Sequence, residues 1–315
     1  MKVLKSALFG FIILSTLLLS ESCRKNKEFK NETGEVSEDN KNIQSNVDNI
    51  VNEANQVLSG NNGFNGKSAD LEAYGDTLCG AQIDTSLKSQ GIITLVFDGL
   101  TACSNRIRSG KVKLTLQGYS TGARWKDVNA VLNIDYIDYK VTRVNDNRSL
   151  TFNGTNNLTN TSGGNAVMLI LGMQTQLIHD VSGNNLIVKF DDQTTSTFNL
   201  SRRYTHTFTN PVYQVKGEGT GTQNGINNLE NWGVTREGDN FTSQVVLPVI
   251  WNSTCGAHKP VEGELNIIVD AKDFSFTTIF GVDASGNLVS TGCPWGLKVE
   301  WDYKNKTGSQ LYQYH

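Results

Sequence analysis

Between Leu78 and the C-terminus, apolar side chains recur at every second position, and this period of two confines the chain to half-buried β-strands. The runs include Ile92 to Phe97, then Val112, Leu114 and Leu116, then Phe241 through Trp251, then Leu265, Ile267 and Val269. Phe274 with Phe276, and Leu297 through Tyr303, continue the pattern. The longest run is the most instructive. Val128, Ala130, Leu132, Ile134 and Tyr136 alternate, and Ile137, Tyr139 and Val141 then follow on the opposite parity. A slip of one residue turns a strand inside out, so the sequence predicts a β-bulge or sharp bend near Tyr136-Ile137.

The segments between these runs are rich in turn formers. Thirty glycines against four prolines suit hairpins better than a proline-rich stalk. Asp180-Val181-Ser182-Gly183-Asn184 and Asp283-Ala284-Ser285-Gly286-Asn287 share one form, and both are read as hairpin tips. Their oxygen-bearing side chains also suit calcium, but a calcium loop needs further carboxylates at set spacing and a late bidentate Glu. The expected fold is mostly β: a large antiparallel β-sandwich or open barrel occupying residues 61–315, with one short N-terminal helix. A faint echo, Cys103 with Gly110 and its strand against Cys255 with Gly263 and its strand, points to two related halves.

Ahead of the β region, Ile43, Val47, Ile50, Val51, Ala54, Val57 and Leu58 form a helical stripe. It predicts a helix over about Asn42 to Leu58, ending at Ser59-Gly60, within an amphipathic segment 42–60. Residues 23–41 are mainly polar and charged and are read as a tether.

The start of the chain is an address. Lys2 and Lys5 precede an uncharged run from Ala7 to Leu19, and Ser20, Glu21 and Ser22 lead into Cys23. This is the layout of a secretory signal over residues 1–22. The 13-residue apolar run is shorter than the roughly 20 residues needed to span a bilayer as a helix. A cysteine at the cleavage point marks Cys23 for lipidation and makes a membrane the first expected partner.

Four further cysteines remain: Cys79, Cys103, Cys255 and Cys293. An even count outside the cytoplasm favours disulfides. Of three pairings, the local pairs Cys79 with Cys103 and Cys255 with Cys293 are preferred. No two of the four have the close spacing of a zinc site, so no metal is expected.

Cys23 with its polar tether, Arg108-Ser109-Gly110-Lys111-Val112 after Cys103, and Gly292-Cys293-Pro294-Trp295-Gly296 before a Trp301-bearing hairpin carry a resemblance. On these residues the chain resembles the β-rich, lipid-anchored lipoproteins of Bacteroidota. The resemblance implies an outer-membrane lipoprotein, facing the periplasm or the surface, and no particular activity.

Signs of catalysis are weak. His179, His206 and His258 are far apart in sequence, and neither a Gly-x-Ser-x-Gly elbow nor a phosphate-cradling Gly-x4-Gly-Lys motif occurs. Asp191-Asp192, and Glu300 with Asp302, could supply the two carboxylates of a glycosidase, but the first pair sits in a turn context and the second on an outward strand face. No catalytic residue and no cofactor is therefore assigned. A formal net charge of −3 gives no basic footprint for nucleic acid. Among the five tryptophans, Trp232 in Asn231-Trp232-Gly233 and Trp295 in Pro294-Trp295-Gly296 lie in loop-like contexts suited to sugar binding, whereas Trp251 and Trp301 suit a core. Two functions follow: a non-catalytic extracytoplasmic binding module for a glycan or other ligand, or a β-barrel-like carrier of an apolar ligand or envelope assembly component. An envelope protein partner fits the second.

Overall fold

The computed structural model describes residues 36–58, 62–65, 78–103, 105–256, 259–304 and 306–314. Cys23 and the signal region lie outside these residues. Two compact units divide the chain, Met1–Val47 and Asp48–His315. Of the first, residues 36–47 are described, and all are helical. They belong to helix α1, residues 36–58, so residues 36–41, read from sequence as tether, form its opening turns. The polar sequence there conceals a helix because Val36 is the only apolar residue before Ile43.

The second unit holds the end of α1, a short helix α2 (Asn62–Asn65) and the β structure. Strands β1 (Ala81–Asp84), β2 (Ile92–Cys103), β3 (Arg106–Leu116), β4 (Ala130–Arg143) and β5 (Ser149–Asn160) come first. After helix α3 (Ala166–Ile170) follow β6 (Leu177–Phe190), β7 (Thr195–Thr209), β8 (Val212–Gly219), β9 (Gly221–Gln223) and β10 (Ile226–Val234). The chain closes with β11 (Asn240–Asn252), β12 (Glu262–Val269), β13 (Phe274–Val282), β14 (Gly296–Tyr303) and β15 (Lys306–Gln313).

The fifteen strands among the described residues belong to one antiparallel sheet, which runs as a meander from β1 to β7 and from β10 to β15. Between β7 and β11, two strands share one slot: β8 pairs with one end of both neighbours and β10 with the other. Glycines allow the crossing, because a side chain on Gly219 would overlap the backbone of Asn228. Neither β1 nor β15 has a second neighbour among the described residues, so the sheet as described keeps two edges, an arrangement consistent with the expected sandwich or open barrel.

Curvature comes from aligned bulges. The register shifts between Tyr136 and Tyr139 in β4, where the sequence predicts it, and both tyrosines stay buried on one face. Asp138 takes φ 48° at this point and Gly110 across from it takes φ 88°. The same line of shifts crosses β5 between Asn153 and Asn156, and β6 between Gly183 and Leu186. Side-chain amides replace the lost ladder bonds: the Asp138 amide donates to Asn153 Oδ1 at 2.9 Å and the Asn185 amide to Asn199 Oδ1 at 3.0 Å. Asp180–Asn184 is therefore the interior of β6 and not the hairpin tip expected from sequence. Gly183 is there because Asn156 occupies the space of its missing side chain. Its counterpart Asp283–Asn287 is a true turn, in which Asp283 Oδ1 accepts from the amides of Ser285 and Asn287.

The sheet bends around the end of α1. Ile50, Ala54 and Leu58 are fully buried there. Asp48 pairs with Arg202 on β7 at 3.0 Å, and Glu53 with Arg108 on β3 at 2.6 Å. Five helical residues turn through about 140°, so two strands four places apart reach opposite sides of one helix.

The disulfides join Cys79 to Cys103 and Cys255 to Cys293, with Cα separations of 6.0 and 5.3 Å. The first ties the chain ahead of β1 to the end of β2. The second ties the β11–β12 connection to the β13–β14 connection.

Candidate functional site

Three places in the β unit concentrate polar chemistry. Two are interior, and one is open to solvent.

The open one lies on the outer face of β13, β14 and β15. Register places Ser275, Asp302 and Thr307 in one row, and Thr277, Glu300 and Ser309 in the next. Strand alternation turns these six side chains to the same face. With the backbone at Trp301 and Gly308 they line a groove of about 440 Å³. Lys298, in the following row, makes an ion pair to Glu300 at 2.5 Å. On the other side, Thr277 donates to Asn266 of β12 at 3.5 Å. The Trp301 indole lies on the opposite face, across from Phe276, in the space a side chain on Gly308 would need. Because β15 is the edge strand, the groove is open along its length. Two carboxylates and four hydroxyls offer acceptors and donors in a regular grid.

One interior centre surrounds Arg202, which is 4 % exposed. Its Nη1 donates to Asp48 Oδ1, and its Nε stands 3.6 Å from Glu230 Oε2. Tyr204 donates to Asp48 at 2.9 Å, and Ser243 donates to Glu230 at 2.9 Å. One cation is thus held between two carboxylates, which ties the end of α1 that belongs to the second unit to β7.

The other interior centre pairs His179 with His206, ring centroids 5.4 Å apart, with Trp125 stacked on His179 at 5.7 Å. The sequence separation hides this pair; the hairpin at 191–194 folds the two onto adjacent strands. His206 Nδ1 meets the Tyr213 hydroxyl at 3.0 Å. Burial, and next to it the neighbouring His206, push His179 down to about 3, and burial pushes His206 down to about 4. Both are neutral packing groups at ordinary pH. His258 lies outside the described residues.

The two tryptophans singled out from sequence are not brought together. Trp232 sits within β10 opposite Asn199 and Thr242, near the β10–β11 turn, with its ring over Gly221. Trp295 lies at the other end of the strands, where its amide donates to Val282 and its carbonyl accepts from Tyr314. Both are half-buried. Trp125 is buried, and Trp251 packs on Gly217 beside Tyr204. The groove was legible in principle. Ser275-x-Thr277, Glu300-x-Asp302 and Thr307-x-Ser309 are three polar pairs on alternate positions, but sequence pattern weighs the apolar parity and passes over its complement.

No protein family, no curated protein sequence and no solved structure matches the chain. Fold and disulfides define a class: a disulfide-stapled, single-sheet antiparallel β protein of an oxidising, extracytoplasmic compartment.

Proposed function

We propose that this is a lipid-anchored cell-envelope protein, held at Cys23, whose β unit is a non-catalytic binding module for a glycan or a similar polyhydroxylated ligand. The groove on β13–β15 carries the reading. Carboxylates and hydroxyls in two registers offer the acceptors and donors that sugar hydroxyls pair with, and the edge strand leaves the groove open on one side. Glu300 and Asp302 stand two residues apart on one strand, both directed outward, and Glu300 is paired to a lysine. A glycosidase acid needs burial away from cations to stay protonated, so this pair binds and does not hydrolyse.

The test is a glycan array with calorimetry on hits, comparing the native chain with the Glu300→Gln, Asp302→Asn double variant. Loss of at least about tenfold in affinity, roughly 1.4 kcal/mol, is expected. The controls Trp232→Ala and Trp295→Ala are expected to retain binding. Equal affinity of the double variant would remove the groove from consideration. The anchor is tested separately by palmitate labelling, which Cys23→Ala should abolish.

One observation favours a carrier of an apolar ligand as the second reading: a single open sheet with an apolar inner face. That face is filled at its centre by Ile50, Ala54 and Leu58, so a carrier would have to release α1.

A further inference from the structure

The two rims of the sheet differ in chemistry. One rim carries tight turns, residues 144–148, 191–194, 235–239 and 270–273 among them; the other carries the long connections 85–91, 117–129, 161–176, 253–261 and 283–295. Among the described residues, seven of the fourteen exposed large apolar side chains lie in the long connections, against Val144 in the tight turns and Leu100 near the end of β2 on the same rim. Four of them, Val167, Ile170, Leu171 and Met173, crowd the β5–β6 connection, and Leu171 and Met173 are 68 % and 67 % exposed. Val128, on the adjoining connection, is 65 % exposed.

This apolar tip is built and held. Asn165 caps α3 by accepting from the Met168 amide at 3.0 Å, and Gln174 Nε2 donates to the Asn165 carbonyl at 3.2 Å. Asn160 donates to the carbonyls of Trp125 and Gly164, and the Gly164 amide to that of Lys126. From Thr161 to Gln176 there is no charged residue. A soluble loop of such length ordinarily carries polar tips, since exposed apolar surface gains nothing in water.

Charge follows the same division. The long connections hold Lys88, Arg124, Lys126 and Lys259 against Asp127 and Asp283, whereas the tight turns and the β14–β15 turn hold seven carboxylates against four basic side chains. A net positive rim with uncharged apolar tips complements an anionic bilayer surface, to which basic groups are attracted and into whose boundary apolar side chains partition.

We infer that the rim of long connections is a membrane-contact surface, with the tip 165–173 inserted into the headgroup boundary of an anionic bilayer. The inference rests in part on the proposed anchor: a lipid at Cys23 leaves 12 residues before Val36, a reach of at most about 40 Å, which keeps the protein near a bilayer. A second, weak contact then acts at high effective concentration. The tether supplies proximity and the rim orientation.

The test places an environment-sensitive fluorophore on Leu171→Cys and, separately, on Val144→Cys at the opposite rim, each in the full chain. The labelled proteins are mixed with vesicles of phosphatidylethanolamine and phosphatidylglycerol carrying spin-labelled quencher lipids. Several-fold stronger quenching at 171 than at 144 is expected. Equal quenching at both positions would overturn the inference, and so would a vesicle-independent, concentration-dependent blue shift at 171, which would show a second copy covering the tip. Flotation of the native chain against Cys23→Ser reads the anchor independently.

Discussion

His179 shows how an ordinary residue is given its role by its neighbours. Stacked on Trp125 and edge-on to His206, it is held neutral, because burial strips a charge there of water and His206 opposes it more than Asp180 favours it. The unfolded chain binds protons near the usual histidine value of about 6.5, while the folded chain refuses them until about 3 for His179 and about 4 for His206. These folded values are depressed, so their contribution is complete above the unfolded value and is lost as pH falls through the window below it. Each histidine contributes a slope of up to about 1.4 kcal/mol per pH unit. Urea midpoints are expected to fall between neutral pH and the acid range, and His179→Phe to flatten that fall. An unchanged slope in the variant would show that other groups dominate.

At the scale of the element, the bulge in β4 decides where the sheet turns. It was visible in sequence because the apolar parity switches between Tyr136 and Ile137, and a buried face cannot tolerate the switch without an inserted residue. Its partner was not visible. Gly110 is one glycine among thirty, and only the register shows that its φ of 88° and its contact with the Asp138 carbonyl exclude a side chain. Gly110→Ala is expected to cost at least about 2 kcal/mol, from the left-handed backbone and the overlap together, measured as a shift in urea midpoint. The Asp-x-Ser-Gly-Asn repeat teaches the converse. One sequence form serves as a turn at 283–287 and as a bulged strand interior at 180–184, because local propensity permits both and the partner strand selects.

At the scale of the second unit, ion pairs from Asp48 to Arg202 and from Glu53 to Arg108 tie the end of α1 to the sheet. Arg202 is buried and is flanked by Asp48 and by the buried Glu230, so removing it leaves the Glu230 carboxylate buried without its cation. Arg202→Ala is expected to destabilise the fold by about 3–5 kcal/mol, whereas exposed Arg203, paired with Asp180 at the surface, should cost under about 1 kcal/mol when replaced. Thermal melts of both variants make the comparison, and equal losses would show that the buried centre does not anchor α1.

The sequence by itself determined the strand content, the helical stripe from Ile43 to Leu58, the bulge at Tyr136-Ile137, and the preferred pairing of Cys79 with Cys103 and Cys255 with Cys293; the stop expected at Ser59-Gly60 lies outside the described residues. All of these rest on local periodicity, on turn chemistry or on near neighbours in the chain. Tertiary structure alone decided that the strands form one open sheet, that α1 is gripped by Arg108 and Arg202, and that His179 meets His206. It alone aligned Ser275, Thr277, Glu300, Asp302, Thr307 and Ser309 into a groove, and it alone separated Trp232 from Trp295. The physical reason is register: period two fixes which face a side chain takes, but cross-strand neighbours depend on bulges and loop lengths summed over the whole meander.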